Sequence, residues 1–288
     1  MTKKITLSFE IFPPNTEERK KQMCGILTDF KELNPDFISV TCSNNNVNIK
    51  DSTVKISDHV QNKLGLETIA HLPALYMSKA EVAETLDALE EIGVRNLLAL
   101  RGDIIEGVAP KGDFAYASDL IEFIKERNSN FKISAACYPE THVDSANQVQ
   151  DIKFLKKKVD AGCELLISQL FYDNEAFYDF RDKCQLANID VPTLAGIMPI
   201  INRNQVLRLL SICKSVTLPK KFKRILDKYE HDPVSLRQAG LAYAVDQIID
   251  LVTNDVDGVH LYTMNQPSVA KYIKENTNDI FKNSNIQL

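Results

Sequence analysis

The sequence predicts an α/β fold, a single (β/α)8 TIM barrel, and three observations support this. Short apolar or β-branched runs alternate with longer amphipathic stretches at intervals of roughly 30 residues, as in successive βα units. Eight such runs occur, whereas an open doubly wound sheet usually has fewer strands. No linker-like or low-complexity tract divides the chain, so we expect residues 1–288 to form one catalytic domain.

Each βα unit is assigned from its hydrophobic periodicity. The predicted strands are Ile5–Ile11, Phe37–Thr41, Glu67–His71, Asn96–Leu100, Lys132–Cys137, Leu165–Gln169, Thr193–Ile197 and Gly258–Tyr262. The predicted helices are Glu17–Leu33, Lys50–Leu64, Lys79–Ile92, Tyr116–Arg127, Ser145–Ala161, Glu175–Ala187, Asn204–Ser211 and Leu236–Val252. The seventh unit is longer than the others, and its segment Pro219–Pro233 predicts a short extra helix.

The composition excludes several classes of protein. With 44% hydrophobic and 25% charged residues, the chain has the balance of a globular domain. A net charge of -5 argues against a nucleic-acid partner, which requires clustered cations. There is no run of about 18 uncharged apolar residues and no apolar signal region near the start, so no membrane segment is expected. The six cysteines lack metal-ligand spacing, which predicts free thiols, no metal site and a cytoplasmic location.

Polar residues follow nearly every predicted strand, where the active site of such a barrel lies. Loops are polar in any case, so a single position is about as well explained by solvation as by function. The positions are Glu10, Thr41, His71, Arg101-Gly102-Asp103, Tyr138, Glu140, His142, Gln169, Pro199, Asn202, Thr263, Asn265 and Gln266.

Glu10 is the strongest candidate for acid–base chemistry. Its neighbours Phe9, Ile11 and Phe12 are apolar, and burial raises the pKa of a carboxyl group into the range of a proton donor near neutral pH. The side-chain period of a strand places Glu10 on the same face as Ser8, which suits a barrel interior. The alternative is an outward-facing glutamate with no catalytic role.

Nucleotide-binding signatures are weak. Gly107–Gly112 has the glycine spacing of a P-loop but lacks the following Lys-Ser/Thr, and no G-x-G supports a Rossmann site. The run Lys156–Lys158 is able to reach a diphosphate, although a charge run is more often a solvated helix face. A flavin or nicotinamide would therefore be held in another way.

The chain nevertheless resembles the methylenetetrahydrofolate reductase family, in its compact bacterial-type catalytic domain. The matching segments keep their order and spacing over nearly the entire chain. They are Ser8–Pro14, Phe37–Thr41, Ala70–Leu72, Ala99–Asp103, Tyr116–Leu120, Ala136–His142, Leu155–Gly162, Gln169–Asp173, Gly196–Ile200 and Leu261–Asn265.

The resemblance implies noncovalent FAD, reduced by NADH or NADPH and reoxidised by 5,10-methylenetetrahydrofolate in a ping-pong cycle that yields 5-methyltetrahydrofolate. It also implies a homo-oligomer. Glu10 matches the family's general acid, and Asp103 matches a catalytic carboxylate near flavin and pterin. The implied substrate positions are Glu10, Asp103, Gln169, Pro199 and Gln266. The implied flavin positions are Thr41, His71, Arg101, Gly102, Asp103, Tyr116, Ala117, Tyr138, His142, Asp151 and Lys158, with Arg101 and Lys158 as phosphate partners.

Two positions depart from the family pattern. Gln266 stands where an arginine is frequent, and loss of such a charged hydrogen bond weakens substrate affinity by about 1.5–3 kcal/mol unless compensated. Arg203 stands where an aromatic residue frequently stacks on ligand rings. Two other functions stay open: a flavoenzyme of the same fold that uses a protein electron donor or another substrate such as proline, and a catalytically silent binding subunit.

Overall fold

The computed structural model describes residues 4–14, 16–42, 50–213 and 215–284, and it confirms the predicted barrel. Eight strands are hydrogen-bonded in sequence order into a closed barrel. The ladders β1–β2, β2–β3, β3–β4, β4–β5 and β7–β8 are parallel. The strands are β1 (Thr6–Ile11), β2 (Phe37–Val40), β3 (Thr68–Pro73), β4 (Asn96–Leu100), β5 (Lys132–Cys137), β6 (Cys163–Ser168), β7 (Thr193–Ile197) and β8 (Gly258–Tyr262).

Helices follow the strands, with bounds close to the predicted ones. They are α1 (Glu17–Glu32), α2 (Lys55–Asp58), α3 (Lys79–Glu91), α4 (Ala117–Arg127), α5 (Gln148–Asp160), α6 (Asn174–Leu186), α7 (Arg203–Ile212), α8 (Lys220–Lys228), α9 (Pro233–Thr253) and α10 (Pro267–Ser284). Short π-helical turns, Lys50–Val54 and His59–Lys63, flank α2. The extra helix of the seventh unit is α8, as predicted.

Helix α10 was not predicted from the sequence. The segment opens with Pro267, which reads as a breaker after a loop. Proline is nevertheless well suited to the first position of a helix, because the amide hydrogen that it lacks would have no intrahelical partner there. The structure begins α10 at this proline.

Contacts divide the chain into two compact units, and the prediction of one domain stays a prediction. The first unit contains Met1–Leu7, Cys137–Leu155 and Ile167–Leu288, and the second contains Ser8–Ala136 and Lys156–Leu166. Residues 1–3, part of the start for which no apolar signal region is expected, lie outside the described residues. No helix in the described ranges is long and apolar enough to cross a lipid bilayer.

In the second unit, β1 shows how a strand divides its side chains between two environments. The Phe9 ring packs against Phe30 of α1 with ring centroids 5.6 Å apart. Since successive side chains of a strand point to opposite faces, Glu10 points away from α1 toward the barrel interior. Its register partner on β2 is Ser39, whose side chain is also buried. The predicted inward face of β1 is confirmed.

In the first unit, an aromatic stack attaches α8 to the strands. The Phe222 ring is buried and stacks on Tyr172 with centroids 4.9 Å apart and 10° between the planes. The Phe222 ring also meets the Tyr243 ring of α9 edge to face, with ring centroids 4.9 Å apart. Together with Leu170 and Met198 these residues form one apolar cluster. Helix α8 is thereby held against the ends of β6 and β7.

The cysteines are free thiols, as expected, and most are shielded from solvent. Cys137, Cys163 and Cys184 are buried, Cys42 and Cys213 are partly buried, and Cys24 on α1 is exposed. Burial raises the pKa of the Cys42 and Cys163 thiols to about 11 and that of Cys184 to about 12.

Candidate active site

Glu10 of β1 and His71 of β3 form the centre of the candidate site in the second unit. The Oε2 atom of Glu10 lies 3.7 Å from Nε2 of His71, and both side chains are buried. In a (β/α)8 barrel, inward side chains of alternate strands share one layer, so residues of β1 and β3 are able to meet. Both residues were predicted as site residues, but their contact was not predicted.

Burial shifts the pKa values of this pair in opposite directions. It raises the pKa of the Glu10 carboxyl from 4.5 to about 8 and lowers the pKa of His71 from 6.5 to about 3. At pH 7 the acid therefore holds its proton and the imidazole is neutral. The two side chains, 3.7 Å apart, are therefore both uncharged and do not form an ion pair. A protonated carboxyl in a dry interior is suited to general acid catalysis.

Thr41 lies directly beyond β2 and is held there by backbone hydrogen bonds. Its N–H donates to the Ile11 carbonyl at 3.0 Å, and its carbonyl accepts from Thr53 Oγ1 at 3.0 Å. Thr41 and Thr53 are buried. The end of β2 is thus fixed beside the end of β1, which carries Glu10.

The Arg101-Gly102-Asp103 corner turns sharply at the end of β4. Gly102 has a φ of +95°, and a Cβ atom there would lie 3.2 Å from Cβ of Pro73. The Arg101 carbonyl accepts from the Leu75 amide at 2.8 Å, which pins the corner to the loop after β3. The Asp103 side chain is exposed. Glycine at this position accommodates both the positive φ and the close approach of Pro73.

Three further cofactor candidates lie in the same unit. Tyr116 is 57% exposed at the start of α4, where its N–H donates to Asp119 Oδ2 at 2.9 Å, and the next residue, Ala117, is buried. The Lys158 ammonium donates to the Ala136 carbonyl in β5 at 2.8 Å. Lys158 is therefore anchored at the end of a barrel strand, unlike a fully solvated lysine of a charge run.

In the first unit, the loop after β5 brings Tyr138, His142 and Asp151 together. The Tyr138 and His142 rings meet edge to face with centroids 4.5 Å apart. Asp151 Oδ2 accepts from the His142 amide at 2.9 Å, and Oδ1 accepts from Ser145 Oγ at 3.0 Å. The carboxylate of Asp151 thus orders the loop that carries His142.

Gln169 follows β6 and has a fixed amide orientation. The side-chain Oε1 accepts from the Leu170 backbone N–H at 2.9 Å, and the Gln169 backbone N–H donates to the Cys137 carbonyl at 2.7 Å. Because the donor at Leu170 is a backbone N–H, the oxygen must be the end that faces it. The Nε2 group is the end that remains available as a donor to a ligand.

Two residues that brace Gln169 were not predicted as site residues. Ser168 Oγ donates to the Gln169 carbonyl at 2.9 Å and accepts from the Gly196 amide at 2.8 Å. The Tyr262 hydroxyl donates to the Ser168 carbonyl at 2.7 Å. Ser168 and Tyr262 both lie within apolar strand segments. They were not predicted because the candidates were the polar residues that follow the strands.

The remaining predicted positions surround the ends of β7 and β8 in the first unit. The Pro199 carbonyl accepts from Gln205 Nε2 at 3.3 Å. Gln266 precedes α10, and its amide donates to the Thr263 carbonyl at 3.0 Å. Arg203 forms an ion pair with Glu230, and its side chain is 47% exposed. A guanidinium in this pair keeps a flat face on which an aromatic ligand ring is able to stack.

Sequence comparisons with known proteins point to one family. The sequence model described as methylenetetrahydrofolate reductase matches residues 1–278. The 5,10-methylenetetrahydrofolate reductase of Pectobacterium carotovorum subsp. carotovorum is 33% identical over 268 residues, covering 93% of this chain and 88% of that protein. The protein of the same name from Escherichia coli (strain K12) is 33% identical over 266 residues, covering 92% and 88%.

A plant relative and a solved structure extend the comparison. Methylenetetrahydrofolate reductase (NADH) 1 of Zea mays is 32% identical over 281 residues, covering 93% of this chain and 47% of that protein. A Clostridium thermocellum protein that binds two copies of 5-methyl-5,6,7,8-tetrahydrofolic acid has a TM-score of 0.62 at 13% identity, covering 98% and 96%. That likeness shows the fold alone. On the family match and the sequence relatives, this chain belongs to the methylenetetrahydrofolate reductase family.

Proposed function

We propose that the protein reduces 5,10-methylenetetrahydrofolate to 5-methyltetrahydrofolate, with NADH or NADPH as reductant, FAD as cofactor and Glu10 as general acid. Membership of the family and the names of the relatives support the reaction. The observation that carries the role of Glu10 is its buried carboxyl, whose pKa of about 8 keeps it protonated at neutral pH.

The residues of the second unit fit a flavin. His71 Nε2 is buried and has no hydrogen-bond partner, so a polar ligand edge would satisfy it. Gly102 permits the sharp corner at the end of β4, and Arg101 and Lys158 offer cations for a diphosphate. FAD, when bound, supplies the hydride carrier between nicotinamide and folate.

Glu10 would donate its proton to a folate nitrogen, which makes that nitrogen a better leaving group and opens the five-membered ring. General acid catalysis of this kind contributes about 10²–10⁴ in rate. The neutral His71 beside Glu10 does not compete for the proton at pH 7, because its pKa is lowered to about 3. After transfer, the carboxylate is left in a dry site and readily takes a proton back.

Gln169 and Asp103 would orient the folate. Since Gln169 Oε1 faces Leu170, the Nε2 group would donate to an acceptor on the pterin ring. The exposed carboxylate of Asp103 is able to accept from N–H groups of a bound ligand.

The proposal is tested by separating the two half-reactions without oxygen. Protein loaded with FAD is mixed with NADH or NADPH, and the loss of flavin absorbance is followed by stopped flow. The reduced protein is then mixed with 5,10-methylenetetrahydrofolate, and 5-methyltetrahydrofolate is quantified. Bleaching by neither nicotinamide would favour a protein electron donor. Bleaching without folate product would favour another substrate, and no FAD binding would favour a silent binding subunit.

A further inference from the structure

The carboxylate of Asp103 is not held in place by contacts of its own. The Asp103 side chain is exposed. Among the residues that the structure describes, none forms a hydrogen bond or an ion pair with it. The position of the carboxylate therefore depends on how firmly the backbone is held on either side of Asp103.

On the amino side of Asp103, the loop after β3 holds the chain by backbone hydrogen bonds. The Ala74 N–H donates to the Leu100 carbonyl at 3.1 Å, and the Leu75 N–H donates to the Arg101 carbonyl at 2.8 Å. Both bonds continue the pairing of β3 with β4 beyond the ends of the two strands. They fix the chain as far as Arg101, shortly before Asp103.

On the carboxyl side of Asp103, the corresponding contact is made by a side chain. The Tyr76 hydroxyl accepts from the Ile105 backbone N–H at 2.7 Å, in a partly buried position. Ile105 is the next residue but one after Asp103. The following backbone bond to the loop after β3 joins the Lys111 N–H to the Leu75 carbonyl at 3.3 Å, much farther along the chain. Tyr76 is thus the contact from this loop that lies nearest to Asp103 on its carboxyl side.

We propose that Tyr76 is a positioning residue for Asp103, and that its hydroxyl sets the Asp103 carboxylate for the folate half-reaction by holding the Ile105 amide. This inference rests on the proposed function, in which Asp103 orients the folate. Tyr76 acts through the backbone between Asp103 and Ile105 and does not itself touch the substrate. A tyrosine hydroxyl is able to accept from an N–H group, whereas a phenylalanine ring offers no such acceptor.

The expected effect is moderate, because a single hydrogen bond is removed. Small displacements of an orienting group slow a reaction, since the reacting atoms spend less time aligned. The contribution of one hydrogen bond corresponds to roughly threefold to tenfold in a rate constant. We therefore expect Tyr76→Phe to lower the second-order rate constant for flavin reoxidation by 5,10-methylenetetrahydrofolate by roughly threefold to tenfold.

The test is a double-mutant cycle between Tyr76→Phe and Asp103→Asn, with every protein saturated with FAD and reduced beforehand. Because a positioning residue acts through its partner, Tyr76→Phe should change the rate by less than about twofold in the Asp103→Asn background. The matched control is Tyr178→Phe on α6, which removes a tyrosine hydroxyl that donates to Asp250 Oδ2 at 2.7 Å. The control should leave the folate half-reaction unchanged in both backgrounds.

Hydrogen exchange at the Ile105 amide provides a readout that requires neither folate nor flavin. The amide should exchange slowly in the unaltered protein and in Tyr178→Phe, and faster in Tyr76→Phe, because its acceptor is then absent. The same acceleration should occur when Tyr76→Phe is introduced into the Asp103→Asn protein, since the bond to Ile105 does not involve the carboxylate. Urea unfolding of each protein verifies that the fold is retained.

Three results would overturn the proposal. One is an equal folate rate in Tyr76→Phe and in the unaltered protein. Another is an equal loss of rate in the Asp103→Asn background, which would show that Tyr76 does not act through Asp103. The third is an Ile105 amide whose exchange does not change in Tyr76→Phe. Reduced flavin that 5,10-methylenetetrahydrofolate fails to reoxidise in the unaltered protein would contradict the proposed function, whereas normal reoxidation in Tyr76→Phe contradicts only this inference.

Discussion

The Glu10 carboxyl and the His71 imidazole lie 3.7 Å apart as neutral partners, the acid protonated and the base unprotonated. This is the reverse of the usual carboxylate–imidazolium pair. The cause is the same for both residues, because burial disfavours whichever form carries charge. The transferable proton is therefore held by Glu10, whereas in a carboxylate–imidazolium pair it would be held by the histidine.

The first prediction concerns Glu10→Gln. The amide retains the shape of the side chain but cannot donate a catalytic proton in the same way, so the folate half-reaction should slow by about 10²–10⁴. Flavin reduction by nicotinamide should stay within a few-fold of normal. Stopped-flow measurement of both half-reactions checks this, and a comparable loss in the two would refute the role of Glu10.

The second prediction is a pH dependence of folding stability. Between pH 4.5 and 8 the folded protein retains a proton on Glu10 that the unfolded chain releases, so this residue lowers stability as pH rises. His71 acts oppositely between pH 3 and 6.5, because there the unfolded chain binds the additional proton. Of these two residues, mainly Glu10 acts from pH 6.5 to 8, at about 1 kcal/mol per pH unit.

Urea unfolding at pH 6.5 and pH 8 measures this effect. The unaltered protein should lose about 2 kcal/mol of unfolding free energy over that interval, relative to Glu10→Gln. The Gln variant is the matched control because it has the same shape and does not titrate. Parallel pH profiles for the two proteins would show that another group is responsible.

The third prediction compares two glycines that both have positive φ. Gly102→Ala and Gly107→Ala each introduce backbone strain of about 1–2 kcal/mol. Only the Gly102 variant also places a Cβ atom 3.2 Å from Pro73, since nothing lies within 4 Å of the position at Gly107. We expect FAD to dissociate more readily from Gly102→Ala alone, as measured by fluorescence titration. Equal FAD affinity in both variants would remove Gly102 from the flavin site.

The fourth prediction concerns the bracing of Gln169. A Cβ atom at Gly196 of β7 would lie 2.2 Å from the Ser168 carbonyl and 2.7 Å from the Tyr262 ring. Gly196→Ala should therefore lower the unfolding free energy by about 1–3 kcal/mol and raise the folate KM. The control Gly25→Ala, in the exposed interior of α1 with nothing within 4 Å, should stabilise by about 0.5–1 kcal/mol. Denaturant titration checks both, and a Gly196 variant as stable as the unaltered protein contradicts the prediction.

Much of the fold was predictable because hydrophobic periodicity reports directly on strand and helix faces. Strands such as Asn96–Leu100 and Thr193–Ile197 have the same bounds in the sequence prediction and in the structure. The π-helical turns around α2 were not predicted, because π-helices are rare and occur mostly as single turns within α-helices. Helix α10, which begins at Pro267, was not predicted.

The site was predictable where polar residues end strands, and less so where contacts depend on packing between them. Glu10 and His71 were each identifiable from position, but their neutral pairing depends on burial that only the folded barrel provides. The support of Gln169 by Ser168 and Tyr262 joins residues 94 positions apart in sequence. No local pattern encodes such a contact.

The burial of the thiols determines how this protein should respond to oxidants. Peroxides and disulfides react with thiolates, and a pKa of about 11 or more leaves only about one thiol in 10⁴ ionised at pH 7. Cys42, Cys163 and Cys184 are thus chemically quiet as well as shielded. Exposed Cys24 is the natural point of attachment for a maleimide probe, placed on the outer surface of α1 and away from the buried Glu10–His71 pair.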